Sequence, residues 1–363
     1  MKLYLKPSFF TEKEFLLAEE GGLRAVAFRY STGIEALRIE NSRGYFVILP
    51  YQGQQLWDIH FDGRDLKMIT GIREPRQTDR FLKTYGGFLY HCGIRSMGAP
   101  DAEHPEHGDL PNCRYDAAWL EAGTDESGAW MEVGGAVEYR IAFTYECRFS
   151  PRCRLSAGKA TVEVGAELEN LRREPMEYAY LCHINFRPFD GGALYDTASR
   201  DPAEVTVHRV IPEDLSADAK KALGDYMDAL EKDPSVMDKV GAAGQCYFPE
   251  ICFTMRYKTD ADGRGYTVQR LPEGGACYVC HPADQFPYGI RWISRTGTEA
   301  SMGMILPATC EHLGYRYAKE HGQIRLLPPQ GKRSYSLELG FLTEEEAAPV
   351  IEKIGRIRDG AKL

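Results

Sequence analysis

Two histidines stand in local contexts that suit acid–base chemistry, and the first of them is His107. It is followed by Gly108, within a stretch over residues 86–112 that is dense in glycine, proline and histidine. A glycine lets the backbone turn so that the preceding imidazole faces a cleft. Long irregular segments inside compact domains are usually functional or disordered, and the aromatic and apolar residues that flank this one, with few charges in its first half, argue against disorder. The alternatives are a surface histidine, or half of a metal site shared with His104.

The second histidine, His183, lies in an apolar run that is typical of a strand. His183 and Asn185 share parity on an extended chain, so we expect the imidazole and the amide to point to the same face. Cys182 and Ile184 alternate with them and are expected to face the core. A strand that sends two such polar groups to one face lines a polar groove. The alternative is a buried histidine whose hydrogen bonds are satisfied inside the protein.

A carboxylate in the C-terminal part of the chain is the third candidate. Glu311 lies in a turn bounded by Pro307 and Gly314, among largely apolar neighbours. A carboxylate in such a setting suits the role of general base. The alternative, which is more common for loop carboxylates, is that its side chain faces solvent.

The elements that must position these groups are mostly strands. The predicted strands are short runs rich in valine, isoleucine, tyrosine, phenylalanine and threonine, punctuated by turn signals at Ser42–Gly44, Gly134–Gly135 and Asp262–Gly263. They cover Ala25–Tyr30, Ala36–Asn41, Tyr45–Pro50, Ala129–Val133, Val137–Phe149, Ala160–Asn170, Ala203–Val210, Ile251–Tyr257, Tyr266–Arg270 and Ser334–Phe341.

Two segments have helical rather than strand-like spacing. Residues 212–233 are predicted to form a helical insertion, with Ser216 or Asp214 as its N-cap. Residues 343–359 open with a threonine before three glutamates and are predicted to form a C-terminal helix packed on a sheet. No linker or internal repeat separates these parts, so a single, mostly antiparallel β-domain over residues 1–363 is expected.

Composition narrows the classes of partner. The net charge of −9 and the lack of a basic stripe argue against nucleic acid. No apolar run approaches the roughly 18 residues of a membrane helix, and the N-terminus lacks a secretory pattern, so a cytoplasmic location is expected. The ten cysteines are expected to be reduced and mostly buried. Cys277–His281 matches the pattern for covalent haem, but a buried strand is the preferred interpretation, because that haem is attached outside the cytoplasm.

Four segments together resemble the aldose 1-epimerase (galactose mutarotase) superfamily, and within it a branch of proteins with a domain of unknown function. In chain order they are Phe46–Leu66, Tyr85–Asn112, Tyr180–Pro188 and Ile305–Gly331. Their order and separations carry the likeness, which spans most of the chain. The resemblance implies an all-β fold of the galactose-mutarotase type, a large β-supersandwich.

The resemblance also implies a site. Superfamily members use two catalytic histidines, which His107 and His183 match in position, and a glutamate near the C-terminus. Many relatives in this branch carry that glutamate immediately before the Pro-Ala of the last segment, where this chain has Leu306. Glu311, five residues further on, is the candidate replacement. Candidate substrate ligands are Arg95 and Asn185, and Trp292 is either a platform for an apolar sugar face or a core residue.

The implied activity is the interconversion of the anomers of a free sugar, with Glu311 as base, His183 as acid and His107 near the ring oxygen. It requires no metal and no organic cofactor, and the expected partner is a small sugar. One alternative is a non-catalytic carbohydrate-binding protein, which Leu306 favours. Another is a phosphosugar mutarotase or other sugar enzyme on the same scaffold, whose pocket would cluster cations such as Arg73, Arg76 and Arg95. The sequence favours no particular sugar or oligomeric state.

Overall fold

A computed structural model describes residues 1–360, and this part of the chain is mainly β, as predicted. The strands of the first half are β1 (Lys2–Tyr4), β2 (Phe15–Glu20), β3 (Leu23–Arg29), β4 (Glu35–Asn41), β5 (Gly44–Ile48), β6 (Leu56–Phe61), β7 (Arg64–Asp65), β8 (Leu89–Ile94), β9 (Ala117–Asp125), β10 (Gly128–Ile141) and β11 (Tyr145–Ser156). The later strands are β12 (Thr161–Asn170), β13 (Met176–Ile184), β14 (Ala193–Asp196), β15 (Val205–Val207), β16 (Ile251–Met255), β17 (Arg264–Arg270), β18 (Ala276–Pro282), β19 (Tyr288–Arg295), β20 (Ala300–Ala308), β21 (Arg325–Leu327) and β22 (Lys332–Leu342).

Helices are few. The α-helices are α1 (Ala217–Lys232), α2 (Tyr315–Glu320) and α3 (Glu344–Arg358), and short 3-10 segments cover Pro7–Phe9, Phe81–Lys83, Pro202–Glu204 and Pro234–Met237. Within the described residues, no helix is both long and apolar enough to cross a lipid bilayer.

The chain divides into two compact units. The first consists of Met1–Leu66, Ile72–His183 and Thr309–Gly340. The second consists of Lys67–Gly71, Ile184–Ala308 and the residues from Phe341 onward. The expectation of one domain over the whole chain stays a prediction.

The first unit contains two sheets. One has the strand order β1-β9-β10-β11-β12-β22, and the other has the order β13-β8-β6-β5-β4-β3-β2, with β21 beside β13 and β7 beside β6. The pairs from β2 to β6 and from β9 to β12 are antiparallel, as consecutive strands joined by short turns must be. The predicted turn at Ser42–Gly44 joins two of them.

The two sheets of the first unit face each other across an aromatic core. His91 of β8 meets Phe149 of β11 with ring centroids 5.5 Å apart, and Tyr180 of β13 meets Tyr335 of β22 at 4.8 Å. His91 is fully buried, and its Nδ1 lies 2.7 Å from the hydroxyl of Tyr180. The even-numbered residues of β13 therefore face the core, as the predicted alternation around Cys182 requires.

The turn predicted at Gly134–Gly135 is wrong. Strand β10 runs straight through these glycines, and the chain turns later, at residues 142–144, where Phe143 has a φ of 67°. A Cβ on Gly134 would lie 2.6 Å from the ring of Trp119, and one on Gly135 would lie 2.4 Å from Gln54. The glycines are needed for close approach of side chains rather than for a turn.

The second unit contains the sheets β14-β17-β18 and β15-β16-β19-β20. Helix α3 covers one face of the first of these, because Ala347, Ile354 and Ile357 pack against residues such as Val268 and Cys280. The predicted C-terminal helix and its packing on a sheet are therefore confirmed. Thr343 caps it through a capping box with Glu346.

The predicted helical insertion is also confirmed. Helix α1 begins after Ser216, whose hydroxyl accepts a hydrogen bond from the backbone N–H of Ala219, and it buries Leu223, Tyr226 and Leu230. It starts five residues later than the predicted segment over 212–233, because residues 212–216, which begin with Pro212, are not helical.

Cysteine placement follows expectation. None of the ten cysteines is in a disulfide bond, and eight of them are buried. Cys277 and Cys280 lie in β18 and are both buried, which confirms the interpretation of this motif as a strand. The stretch over residues 86–112 is less irregular than predicted, since β8 occupies Leu89–Ile94 within it.

Candidate functional site

His107 projects from a tightly held turn of the first unit. Its φ is 59°, a left-handed conformation that few residues other than glycine adopt. Its backbone N–H donates to Gly98 O at 2.9 Å, and its carbonyl accepts from the N–H of Gly93 at 3.0 Å. Gly108 follows with a φ of 81°, and a Cβ there would meet the carbonyls of Gly93 and Ser96 at 2.3 Å. The glycine after the histidine thus allows the turn, for the reason predicted.

His183, near the end of β13, lies against His107. The two imidazole rings meet edge to face, with centroids 4.9 Å apart and an interplanar angle of 87°. His183 is only 4% exposed. The structure therefore brings together the two histidines that the sequence singled out, one from a loop and one from a strand.

Burial, together with the positive charge that His183 can carry, holds the pKa of His107 well below its usual range. Two imidazoles this close do not both ionise readily, because each charge repels the other in a site with little water. The His107 Nδ1 atom is buried and has no hydrogen-bond partner within residues 1–360. At neutral pH His107 is accordingly an uncharged imidazole.

Aromatic residues enclose the histidine pair. Phe81 lies 4.6 Å from the ring of His107 and 6.3 Å from that of His183, measured between centroids. Tyr85 meets His183 edge to face at 5.5 Å, and its hydroxyl lies 3.3 Å from Nδ1 and 3.5 Å from Nε2. Tyr90 packs behind both, 5.3 Å from Phe81 and 5.5 Å from Tyr85.

Sequence reasoning did not identify Phe81 and Tyr85 as site residues. Neither stands in a motif that carries chemistry, and their contacts with the histidines arise only when the segment over residues 72–88 folds back over β8 and β13. The one local signal is the pair of glycines after Tyr85, Gly86 and Gly87, which marks a close approach of the backbone to another group.

Glu311 is buried, at 6% exposure, and is held by its neighbours. The side chain of Gln323 forms two hydrogen bonds with it. The amide nitrogen donates to the carboxylate at 2.8 Å, and the amide oxygen accepts from the Glu311 backbone N–H at 2.9 Å. The hydroxyl of Tyr317, on α2, donates to the carboxylate at 3.1 Å. The expected alternative, a solvent-facing carboxylate, does not describe this residue.

The backbone around Glu311 is tied to the elements that carry both histidines. On one side, the Thr309 N–H donates to Tyr180 O of β13 at 2.9 Å. On the other, His312 O accepts from the Ala99 N–H at 2.7 Å, beside the Gly98 carbonyl that holds His107. The role of Glu311 as the base stays a prediction.

Arg95 lies in the first unit, in a cluster of polar side chains with Asp109 and Tyr139. Its guanidinium forms a two-point ion pair with Asp109, with nitrogen–oxygen distances of 3.1 and 3.0 Å, and Nε also lies 3.2 Å from the Tyr139 hydroxyl. Arg73 and Arg76 are exposed. The described contacts do not gather these three arginines into one cluster, as the phosphosugar alternative would require, and the role of Arg95 as a sugar ligand stays a prediction.

Two further candidates, Asn185 and Trp292, lie in the second unit, as does Leu306, which stands where relatives were expected to have the glutamate. Asn185 is fully buried, and its backbone carbonyl accepts a hydrogen bond from the Met68 N–H at 2.9 Å. Trp292 is partly exposed on β19, and its indole N–H donates to Glu250 at 2.7 Å. Leu306 is 2% exposed on β20, and its side chain occupies the space above Gly303, where a Cβ would lie 2.4 Å from it. Position 306 is thus a packed apolar position.

Metal ligation was one alternative for the histidines. Across residues 1–360, no three histidine, cysteine, aspartate or glutamate side chains are grouped so that they would hold a metal ion. His104, the expected partner of His107 in a metal site, instead points its Nδ1 at Asp101, with distances of 2.9 and 3.0 Å to the two carboxylate oxygens.

Solved structures share this fold. A Klebsiella pneumoniae protein described provisionally as an aldose 1-epimerase superposes with a TM-score of 0.80 at 15% identity, over 100% of this chain and 97% of that one. A galactose mutarotase-like protein from Clostridium acetobutylicum gives a TM-score of 0.62 at 12% identity, over 89% and 100%. An Escherichia coli K12 protein, also provisionally an aldose 1-epimerase, gives 0.51 at 12% identity, over 91% and 99%. The predicted galactose-mutarotase-like fold is confirmed.

Sequence comparison places the chain in a family. No curated protein matches its sequence significantly. A family model described as a domain of unknown function, DUF4432, matches residues 31–341, which is most of the chain. The match includes both histidines, Glu311 and the four segments that carry the predicted resemblance. The chain belongs to the family of the domain of unknown function DUF4432.

Proposed function

We propose that this protein interconverts the anomers of a free sugar by acid–base ring opening at the His107–His183 pair. The observation that supports this most strongly is the edge-to-face contact of the two imidazoles, 4.9 Å apart, within an aromatic enclosure. Such a pair supplies one exchangeable proton beside a neutral hydrogen-bonding group, which is what the opening of a hemiacetal needs.

The proposed reaction moves two protons. Glu311 takes the proton from the O1 hydroxyl while C1–O1 becomes a carbonyl and the bond from C1 to the ring oxygen breaks. His183 gives its proton to the departing ring oxygen, which leaves an open-chain aldehyde. Rotation about C1–C2 presents the other carbonyl face, and the same steps in reverse close the ring. The protein's groups return to their starting protonation states, so no cofactor is consumed.

His107 supports this division of roles. Its lowered pKa keeps it uncharged at neutral pH, so the role of acid in this proposal belongs to His183. A neutral imidazole donates one hydrogen bond and accepts another, which suits a contact beside the ring oxygen. The rings of Phe81 and Tyr85 keep water from the pair and offer apolar surfaces to the C–H face of a sugar.

Carbohydrate binding without catalysis is the second candidate, and two observations favour it. Leu306, where many relatives in the branch have a glutamate, is packed in β20. The Glu311 carboxylate already accepts hydrogen bonds from Gln323 and Tyr317, which stabilise it in place as a structural group. A protein with these features and no base would bind a sugar and leave its anomeric ratio to the solvent.

Optical rotation distinguishes the two candidates. Anomerically pure neutral aldoses and their 6-phosphates are mixed with the protein near neutral pH, and the approach to equilibrium is compared with that in buffer. The proposal expects faster equilibration for at least one sugar. Saturable binding by calorimetry without faster equilibration of any sugar would contradict it and support the binding protein. A response confined to the phosphorylated sugars would identify a phosphosugar mutarotase.

A further inference from the structure

One buried hydroxyl organises the turn that precedes β8. The Tyr90 oxygen accepts hydrogen bonds from the backbone N–H groups of Gly86 and Gly87, at 3.0 and 2.6 Å, and donates to the carbonyl of Thr84 at 3.0 Å. Tyr90 is fully buried, and these three bonds use the donor and both acceptor sites of its hydroxyl. The backbone from Thr84 to Gly87 is therefore wrapped around a single oxygen atom.

The residue enclosed by that turn is Tyr85. The Tyr90 hydroxyl bonds the backbone of Thr84, which precedes Tyr85, and the backbone of Gly86 and Gly87, which follow it. The close approach also explains the glycine at position 87, where a Cβ would lie 2.9 Å from the Tyr90 hydroxyl and 3.1 Å from Trp57. The ring of Tyr85 is wedged between Phe81, at 4.7 Å, and Tyr90, at 5.5 Å. Both its backbone and its ring are fixed.

The Tyr85 hydroxyl lies beside His183. Its distances of 3.3 Å to Nδ1 and 3.5 Å to Nε2 place it near the edge of the imidazole that joins the two nitrogens. Catalytic hydrogen bonds are often this long without substrate and shorten in the complex. A hydroxyl both donates and accepts, so it contacts His183 favourably in either protonation state.

We infer that Tyr85 is a positioning residue for His183, and that Tyr90 acts through Tyr85 by fixing the turn that carries it. The inference deepens the proposed function and rests on it for its catalytic meaning. The hydroxyl lies slightly nearer to Nδ1 than to Nε2, so it favours the neutral ring that keeps its proton on Nδ1 and exchanges the other proton with the sugar. The acid is then a unit of three side chains, Tyr90, Tyr85 and His183, rather than a lone histidine.

The test uses nitrogen NMR of the imidazoles in the full-length protein at a pH high enough that His183 is neutral, since the ¹⁵N shifts of Nδ1 and Nε2 then report which nitrogen is protonated. Tyr85→Phe keeps the packed ring and removes the hydroxyl. We expect the two His183 shifts to move toward each other, as both tautomers become populated. Tyr90→Phe should move them in the same direction by a smaller amount. Tyr335→Phe is the matched control, since it removes the buried hydroxyl bond to Tyr178 at 2.9 Å and should leave His183 unchanged.

A second variant reaches the turn without altering any tyrosine. Gly87→Ala introduces a methyl group 2.9 Å from the Tyr90 hydroxyl and should displace the turn, so that the His183 shifts change as in Tyr90→Phe. His183 shifts that stay at wild-type values in Tyr85→Phe would overturn the inference. A change in Tyr85→Phe with none in Tyr90→Phe and Gly87→Ala would overturn the part assigned to Tyr90.

Kinetics separates this inference from the proposed function. With a sugar that the wild type equilibrates, Tyr85→Phe should lower kcat about tenfold, the value of one hydrogen bond to a reacting group, and leave KM within about twofold. An unchanged kcat contradicts the catalytic role of Tyr85. If the wild type equilibrates no sugar, the proposed function fails, while the NMR shifts still decide whether Tyr85 positions His183.

Discussion

The imidazole rings of His107 and His183 meet edge to face, with centroids 4.9 Å apart, although one comes from a loop and the other from a strand. Their closeness in a site with little water makes their protonation mutually exclusive. Because burial and the neighbouring charge both lower the pKa of His107, that ring is the neutral member of the pair.

This relationship predicts how His107 titrates. In the wild type, His107 should stay neutral at pH values well below the ordinary imidazole range. His183→Gln removes the neighbouring charge but leaves the burial, so the pKa of His107 should rise and still remain below its usual value. Proton and nitrogen NMR titration of the ring checks both statements. A wild-type His107 that titrates near the ordinary value would contradict the coupling.

Glu311 supplies the second prediction. Glu311→Gln removes the base but keeps an oxygen that accepts from Gln323 and Tyr317, so the fold should persist while kcat for anomer exchange falls about a hundredfold or more. Glu177→Gln is the matched control, because Glu177 also accepts from a tyrosine hydroxyl, that of Tyr315 at 2.5 Å. It should leave the rate unchanged. If Glu311→Gln exchanges anomers as fast as the wild type, the base lies elsewhere.

The helices show which features can be predicted from sequence. Ser216 and Thr343 begin α1 and α3 through side-chain caps that involve residues only three positions away, so the information is local. The predicted strand over Ala203–Val210 is observed only as β15, Val205–Val207. The ends of a strand depend on its partners, which a single sequence does not reveal.

The site shows the same limit. His107 and His183 were identified because imidazoles are rare and chemically distinctive. Phe81 and Tyr85 were missed because an aromatic residue in a loop is ambiguous until its neighbours are known. The predicted turn at Gly134–Gly135 failed for a related reason, since glycine serves close packing as well as turns, and the side chains that need the space come from β9 and the loop before β6.

For two buried histidines outside the site, we predict that replacement by leucine changes the free energy of unfolding in opposite directions. Both nitrogens of His281 lack a hydrogen-bond partner within the described residues, whereas His91 bonds Tyr180 at 2.7 Å. At pH 7, His281→Leu should raise the free energy of unfolding by about 1 kcal/mol, because it removes unsatisfied buried groups. His91→Leu should lower it by about 1 kcal/mol, because it removes the hydrogen bond between His91 Nδ1 and the buried Tyr180 hydroxyl. Urea unfolding measures both, and destabilisation by His281→Leu would contradict the assignment.

His281 also predicts an acid response. Burial lowers its pKa to about 3 from 6.5, so between these pH values the unfolded chain binds one more proton than the folded chain. The free energy of unfolding therefore falls with decreasing pH in this window, by about 1.4 kcal/mol per pH unit for this histidine. Between about pH 6 and about pH 4, near the middle of this window, His281→Leu should reduce the pH dependence of the free energy of unfolding by that amount. An unchanged slope would show that His281 is protonated in the folded protein.

Another prediction concerns a fully buried ion pair of the second unit, in which Arg291 donates to Asp196 at 2.7 Å. Burial alone would raise the pKa of Asp196, but the charges of Arg200 and Arg291 overcome this effect and lower it to about 2. Arg291→Met leaves the carboxylate with one cation fewer and should cost about 3–5 kcal/mol. The stability that the ionised carboxylate provides is present above pH 3.8 and is lost as the pH falls toward 2.

The control for that pair is Arg140→Met. Arg140 is exposed and bonds Glu146 at 2.8 Å at the protein surface, where an ion pair contributes less than about 1 kcal/mol. Denaturant midpoints at pH 7 compare the two variants. Equal, small losses for Arg291→Met and Arg140→Met would contradict the importance of the buried pair.

The central claim is that the histidine pair exchanges protons with a sugar at its anomeric carbon. The most direct test is magnetisation exchange between the α and β anomeric protons of an aldose at equilibrium, with catalytic amounts of protein. We predict exchange with the wild type and with His104→Gln, which alters a histidine of the same loop that pairs with Asp101. We predict loss of exchange, by a hundredfold or more, with His183→Gln. Wild-type exchange that persists in His183→Gln would contradict the account.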